Sequence, residues 1–107
     1  MSATSKIQPL GQDPVPVPSE PETVEFENER LRVLRVRYGP HEKWMMRLYP
    51  RRIEINLTVA HLVFNYPDGR TETVEARAGQ VLTFPASERL PENLSDFPYE
   101  AIAIEWK

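Results

Sequence analysis

The stretch G39-P-H-E-K-W-M-M-R-L-Y-P-R-R-I-E-I-N-L-T-V-A60 decides the fold. Its first half holds a strand-like run from Trp44 to Tyr49, entered from a Gly-Pro turn and closed by Pro50, which has no N–H to offer a ladder. The second half alternates strictly, with Ile53, Ile55, Leu57 and Val59 on one face and Arg52, Glu54, Asn56 and Thr58 on the other. Period-two alternation marks a strand with one buried face. The apolar set is therefore expected to face the core and Glu54 to face away from it. A β-bulge after Pro50-Arg51-Arg52 would reverse that assignment. Residues two apart share a strand face, so Arg47 and Tyr49 point the same way, and the functional site is expected around them.

Working outward from this stretch, strands follow on both sides. Val24-Glu25-Phe26 reads as a short strand, and Leu31 to Tyr38 as a long one with arginines set among aliphatics. The cluster Arg30, Arg32, Arg35 and Arg37 is read as a solvated outer face, because alternate strand positions point outward and the overall charge is negative. After Val59-Ala60, where a hairpin would favour Asn-Gly or Asp-Gly, His61 to Tyr66 runs into Pro67-Asp68-Gly69-Arg70. That is a strong turn signal, since Pro presets φ and Gly accepts a positive one. Thr71 to Ala76 returns, Ala78-Gly79 turns again, and Gln80 to Phe84 is stopped by Pro85. Residues 86–98 are expected to be a polar loop, and Tyr99 to Trp106 a last strand with Ile102, Ile104 and Trp106 on one side. Short strands, frequent turns and no convincing helix predict an all-β barrel or sandwich.

Residues 1–23 read as a separate Pro-rich arm, ahead of a barrel over 24–107: five of the chain's 11 prolines lie in the first 21 positions. Such a stretch neither pairs in a ladder nor builds a helix. The 107 residues suit one domain. A net charge of −3 offers no footprint for nucleic acid. There is no cysteine, hence no disulfide or thiolate chemistry. Neither a signal peptide nor a membrane span is legible, so a cytoplasmic location without membrane contact is expected. His41 reads as a surface histidine beside a turn. His61 opens a strand where it could face the barrel mouth, but the two make no metal motif.

The order of segments resembles the small single-domain cupins, RmlC-like jelly-roll barrels, over roughly residues 24–107. The parts that carry the resemblance are Gly39-Pro40 before the central strand, the Pro-Asp-Gly hairpin, Ala78-Gly79-Gln80-Val81 leading to Phe84-Pro85-Ala86, and Pro91-Glu92-Asn93. It implies an antiparallel jelly-roll barrel and a homodimer, expected to form by strands of one barrel adding to the other, clasped by the arm. The family's first motif is G-x5-H-x-H-x3/4-E-x6-G. Aligned on Pro50, its two histidines fall on Arg47 and Tyr49 and its leading glycine on His41. In the second motif Gly79, Pro85 and Asn93 match, while Ser87 stands at a glycine and Arg89 at the histidine. A guanidinium has no lone pair to give a metal, so no metal and no cofactor are expected. The family's glutamate falls on Glu54 or on Ile53, according to spacing.

The altered positions carry large apolar groups or strong donors, as small-molecule pockets do. This points to a repurposed or engineered pocket for an anionic or aromatic small molecule. Arg47 and Arg89 would clamp the anion and Tyr49 would donate a hydrogen bond, with Trp44, Met45 and Phe64 packing on the ligand. A second reading is a metal-independent acid/base catalyst, with Glu54 taking a proton from a carbon acid while Arg47 or Tyr49 stabilises the oxyanion. A third is a packed barrel with no ligand.

Overall fold

The computed structural model describes residues 20–107. Nine strands occur among them: β1 (Glu22–Glu27), β2 (Leu31–Tyr38), β3 (Arg47–Tyr49), β4 (Arg52–Asn56), β5 (Ala60–Asn65), β6 (Thr71–Ala76), β7 (Val81–Phe84), β8 (Ser87–Asn93) and β9 (Tyr99–Trp106). They form a five-stranded sheet in the order β1-β2-β9-β4-β7 and a four-stranded sheet in the order β3-β8-β5-β6. Every pairing is antiparallel. Nearly all of the expected arm, residues 1–19, lies outside the described residues. The first strand starts at Glu22, two positions ahead of the expected boundary.

The core lies between the sheets. Leu34, Val36 and Tyr38 of β2, Leu62 and Phe64 of β5, and Tyr99, Ala101 and Ala103 of β9 are all buried. Phe64 meets Phe84 edge to face, with ring centroids 5.2 Å apart, a geometry aromatic pairs prefer. On β9 the two fully buried alanines lie opposite Asn56 and Glu54 of β4. Small side chains there leave room for the long polar ones of the neighbouring strand.

Several expectations hold. The β2 strand has the bounds read from the sequence. The turns at Gly69 and Gly79 take φ of 90° and 84°, which glycine adopts without a steric cost. Arg35 and Arg37 lie on the outer face, paired with Glu25 and Glu100; Arg32, expected with them, instead shares the strand face of Leu34, Val36 and Tyr38 and approaches Glu27 and Glu105.

Three expectations are overturned. The faces of β4 are reversed: Arg52, Glu54 and Asn56 are buried, Ile53 and Ile55 only half so, and Leu57 and Val59 are exposed. Ile53 pairs with Ile104, and Ile55 with Ile102, across the outer face of the five-stranded sheet. Both faces of that sheet carry apolar residues, so alternation alone does not say which one is inside, and a slip of one residue exchanges them. The second correction concerns residues 86–98, where β8 replaces most of the expected loop and pairs with both β3 and β5. Its Pro91 lies opposite Phe64 on one side. On the other side the β3 ladder has ended at Arg47–Arg89, and the next bridge is Lys43–Glu92. The proline falls in the gap between these two pairings, where strand prolines are tolerated. Thirdly, residues 57–59 do not make a hairpin. β4 and β5 belong to different sheets, so the segment crosses between layers and has no need of Asn-Gly chemistry.

Candidate functional site

Inside the barrel, β4 presents Arg52 at the point where three carboxylates converge. Its Nη1 donates to Glu22 Oε2 at 2.9 Å and to Glu54 Oε2 at 3.1 Å. Its Nη2 donates to Glu22 Oε1 at 3.0 Å and also to Glu105 Oε2. The guanidinium is 1% exposed and the three carboxylate side chains 6–7%. Strands β1, β4 and β9 are thereby joined through one side chain. Burial alone would weaken the Arg52 charge, but the carboxylates reverse this and hold its pKa far above the usual guanidinium range.

Glu54 has both oxygens engaged. Oε2 accepts from Arg52, and Oε1 accepts from Tyr99 Oη at 3.0 Å. Tyr99 Oη also lies 2.7 Å from Asn56 Oδ1, while Asn56 Nδ2 finds no partner. A phenol has one hydrogen. Turning the Asn56 amide over gives Nδ2 the Tyr99 oxygen as acceptor and leaves the phenol proton for Glu54. Burial, followed by the charge of Glu54, pushes the Tyr99 pKa far above the ordinary phenol value, so it stays a donor.

Nearer β3, Arg47 and Arg89 are cross-strand partners. Arg47 is half-exposed and approaches Glu22 at 3.5 Å. Arg89 is 2% exposed. Its Nη1 donates to Ser87 Oγ at 2.6 Å and to Pro85 O at 3.3 Å. No carboxylate among the described residues forms an ion pair with it. Its charge instead lies against the Tyr49, Phe64 and Phe84 rings, 4.8, 4.7 and 5.5 Å from their centroids, a favourable cation–π arrangement. Burial still lowers its pKa, and the Arg52 charge adds to this. Tyr49 also lies under the Arg47 and Arg52 guanidiniums, 4.7 and 5.2 Å away.

The structure therefore brings together Arg47, Tyr49, Glu54, Phe64 and Arg89. It does not bring in Met45, which is 51% exposed, whereas Trp44 packs against the core. His61 faces outward beside Glu75 at 3.5 Å, and exposed His41 pairs with Asp96 at 2.6 Å. Glu54, expected to face away, is in the interior. Sequence reasoning missed Glu22, Arg52 and Glu105 altogether. A signal was available in the opposed charges of Arg52 and Glu105, which antiparallel pairing of β4 with β9 sets directly across from each other. Asn93 acts as a latch: Nδ2 donates to the Gly39 and Phe97 carbonyls at 3.0 and 2.7 Å, and Oδ1 accepts from Ser95 N at 3.0 Å. It fixes the start of the 39–46 segment and the β8–β9 loop together.

The interior cavity, whose polar lining is Glu22, Tyr38, Tyr49, Arg52, Glu54 and Arg89, has a volume of about 10 Å³. A larger and mostly apolar cleft of about 560 Å³ lies outside the barrel, between Thr58, Val59, Phe97 and Pro98. Among the described residues, no three His, Cys, Asp or Glu side chains are grouped so as to hold a metal ion. No helix there is long and apolar enough to cross a membrane.

No protein-family model and no curated protein matches the sequence. Solved structures do. A cupin domain from Bordetella pertussis Tohama I is 26% identical, with a TM-score of 0.73, over 80% of this chain and 91% of that one. An uncharacterised conserved protein with a double-stranded β-helix domain from Klebsiella pneumoniae is 15% identical, with a TM-score of 0.63, over 94% and 89%. An RmlC-like cupin family protein from Methanocaldococcus jannaschii is 12% identical, with a TM-score of 0.61, over 87% and 86%. The chain is a small cupin domain by fold, an antiparallel jelly-roll barrel.

Two predictions follow from the interior. Arg52→Met leaves buried Glu54 without a cation, and Glu22 and Glu105 with only the longer contacts to Arg47 and Arg32 at 3.5 and 3.8 Å. It is expected to cost about 3–5 kcal/mol, the usual loss when one partner of a buried ion pair is removed, as read by urea unfolding. A loss under about 1 kcal/mol would show that the cluster is not a stabilising centre. Tyr38, Tyr49, Tyr66 and Tyr99 all have raised pKa values, with burial the leading cause. A raised folded pKa contributes stability that is complete below the unfolded value and lost as pH rises through the folded one. Tyrosinate absorbance should therefore stay flat through pH of about 10, the ordinary phenol value, and appear only at higher pH as stability falls. A normal phenol titration in folded protein would contradict the packing described.

Proposed function

We propose that this chain is a metal-free cupin barrel that binds a small anion at Arg89. The cupin fold implies a divalent metal held by histidines and a glutamate. At the aligned positions stand Arg47, Tyr49, Glu54 and Arg89, and two of these four cannot ligate. The remaining carboxylate is already bound to Arg52. This donor set does not fit the metal.

The observation that carries the anion reading is Arg89 itself. It is a guanidinium withdrawn from water, without an ion-paired carboxylate among the described residues, packed on the Tyr49 ring. A buried cation in this state is costly, and an anion relieves the cost. The acid/base reading has less support: both Glu54 oxygens already accept, one from Arg52 and one from Tyr99, inside a sealed interior. Charge-assisted hydrogen bonds contribute about 1.5–3 kcal/mol each, so formate should bind at least about tenfold more tightly than formamide. Arg89→Met should remove that preference and leave formamide unaffected. Calorimetry on both proteins tests this, and equal affinity for the two ligands would reject the reading.

We propose also that the protein is a homodimer, formed through the outer face of the five-stranded sheet. Half-buried Ile53, Ile55, Ile102 and Ile104 pair across this face, with exposed Phe26, Val81 and Trp106 around them. A self-complementary face meeting a second copy is the commonest route to a dimer. Ile55→Lys should convert the dimer to a monomer by light scattering at micromolar concentration. A wild-type monomer there would refute the proposal.

A further inference from the structure

Four residues from neighbouring segments stand in one row at the end of the five-stranded sheet. The Arg37 N–H donates to the Pro21 carbonyl at 2.7 Å. Arg37 lies directly opposite Glu100, and the Glu100 N–H donates to Thr58 Oγ1 at 3.0 Å. Arg37, Glu100 and Thr58 also line the mostly apolar cleft of about 560 Å³, together with Val59, Phe97 and Pro98. Phe97 is 74% exposed and Val59 68%. Apolar side chains gathered in a concavity of this size mark a place where something docks.

The chain that precedes the row supplies the occupant. Residues 1–19 are outside the described residues, and they end in Pro14-Val15-Pro16-Val17-Pro18-Ser19. Alternating prolines favour the polyproline II conformation, and aromatic-lined grooves take such segments because little entropy is lost. Residues 14–18 carry no charge, and with three residues per turn every face of such a helix would be apolar. Length agrees as well. From Pro21 to Thr58 the row crosses three strand spacings, roughly 14 Å at about 4.8 Å each. Five residues in polyproline II span roughly 15 Å. Their carbonyls make no bonds within the segment. Among the described residues the Arg37 guanidinium donates only through Nε, to Glu100, so its Nη groups have hydrogens to give.

We propose that residues 14–18 lie across this cleft as a strap, with their Val and Pro side chains against Phe97, Pro98 and Val59 and with Arg37 donating to their carbonyls. Ser19 and Glu20 make the turn onto the outer face. The cleft is that of the same chain. The Arg37 N–H holds Pro21 beside it, so the strap begins three residues from an anchored point. So short a tether gives an effective concentration of about millimolar order, which a second copy does not match at micromolar concentration. The clasp between two barrels expected from the sequence becomes a contact within one. This inference is independent of the anion reading.

The chain has no cysteine, so a pair of introduced thiols reports proximity without competition. In the full chain, Val15→Cys with Val59→Cys should close an intramolecular disulfide at least about tenfold faster than Val15→Cys with Thr73→Cys, as effective concentration requires. Thr73 is exposed on β6 of the other sheet and serves as the distant control. Mass spectrometry of the non-reduced protein reads both rates. Adding Phe97→Ser to the first pair should remove its advantage. In the protein without substitutions, nuclear Overhauser contacts should join the Val15 or Val17 methyls to the Phe97 ring. Equal rates in the two pairs, with no such contacts, would overturn the proposal. A disulfide that joins two chains would put the segment in a second copy's cleft and refute a strap within one chain.

Discussion

The barrel depends on one guanidinium that satisfies three carboxylates. Arg52 lies at the start of β4, and Glu22, Glu54 and Glu105 reach it from β1, β4 and β9. Removing charges from water is costly, and their mutual attraction offsets that only where hydrogen bonds saturate the groups. This geometry meets the condition for Glu22 and Glu54, leaves Glu105 Oε1 with only Arg32 at 3.8 Å, and leaves Arg52 Nε over. Much else in the interior follows from it: alanines on β9 where the long side chains need space, the Tyr99–Glu54 hydrogen bond, and a cavity reduced to about 10 Å³. The barrel interior is filled by polar side chains bonded to each other.

The same cluster explains where the sequence is readable and where it is not. β2 is legible because its inward set, Leu34, Val36 and Tyr38, is apolar and its outward arginines have acidic neighbours. The turns at Gly69 and Gly79 are legible because only local chemistry decides them. β4 misleads, because its isoleucines lie on the outer apolar face and its polar residues inside. Nothing within the segment reveals that an arginine three residues after Tyr49 will find three glutamates. Those partners are 30, 2 and 53 positions away in the chain. β8 is hidden for another reason. Its composition is that of a loop, and only the ladder with β5 and the break in its pairing with β3 make room for Pro91.

For the site, the sequence identifies Arg47, Tyr49 and Arg89 as neighbours through the cupin resemblance, and β3–β8 pairing brings them together. It does not rank them. Arg47 shares Glu22 with Arg52 and keeps contact with solvent, whereas Arg89 is sealed against three aromatic rings. Two arginines directly opposite each other on paired strands thus have different electrostatic situations. The difference is set by which elements cover them, a property of the closed barrel and not of either strand.

The Arg52 cluster also bears on how the fold responds to its surroundings. A barrel centred on a bound ion has a stability that follows the ion's concentration, because ligand binding adds a term that grows with the free ligand. Here the central positive charge is part of the polypeptide, two residues from one of the carboxylates it satisfies. Its local concentration is fixed by the chain, so neither dilution nor a chelator can withdraw it. The three-carboxylate centre of this barrel therefore comes into being with folding itself and requires no loading step.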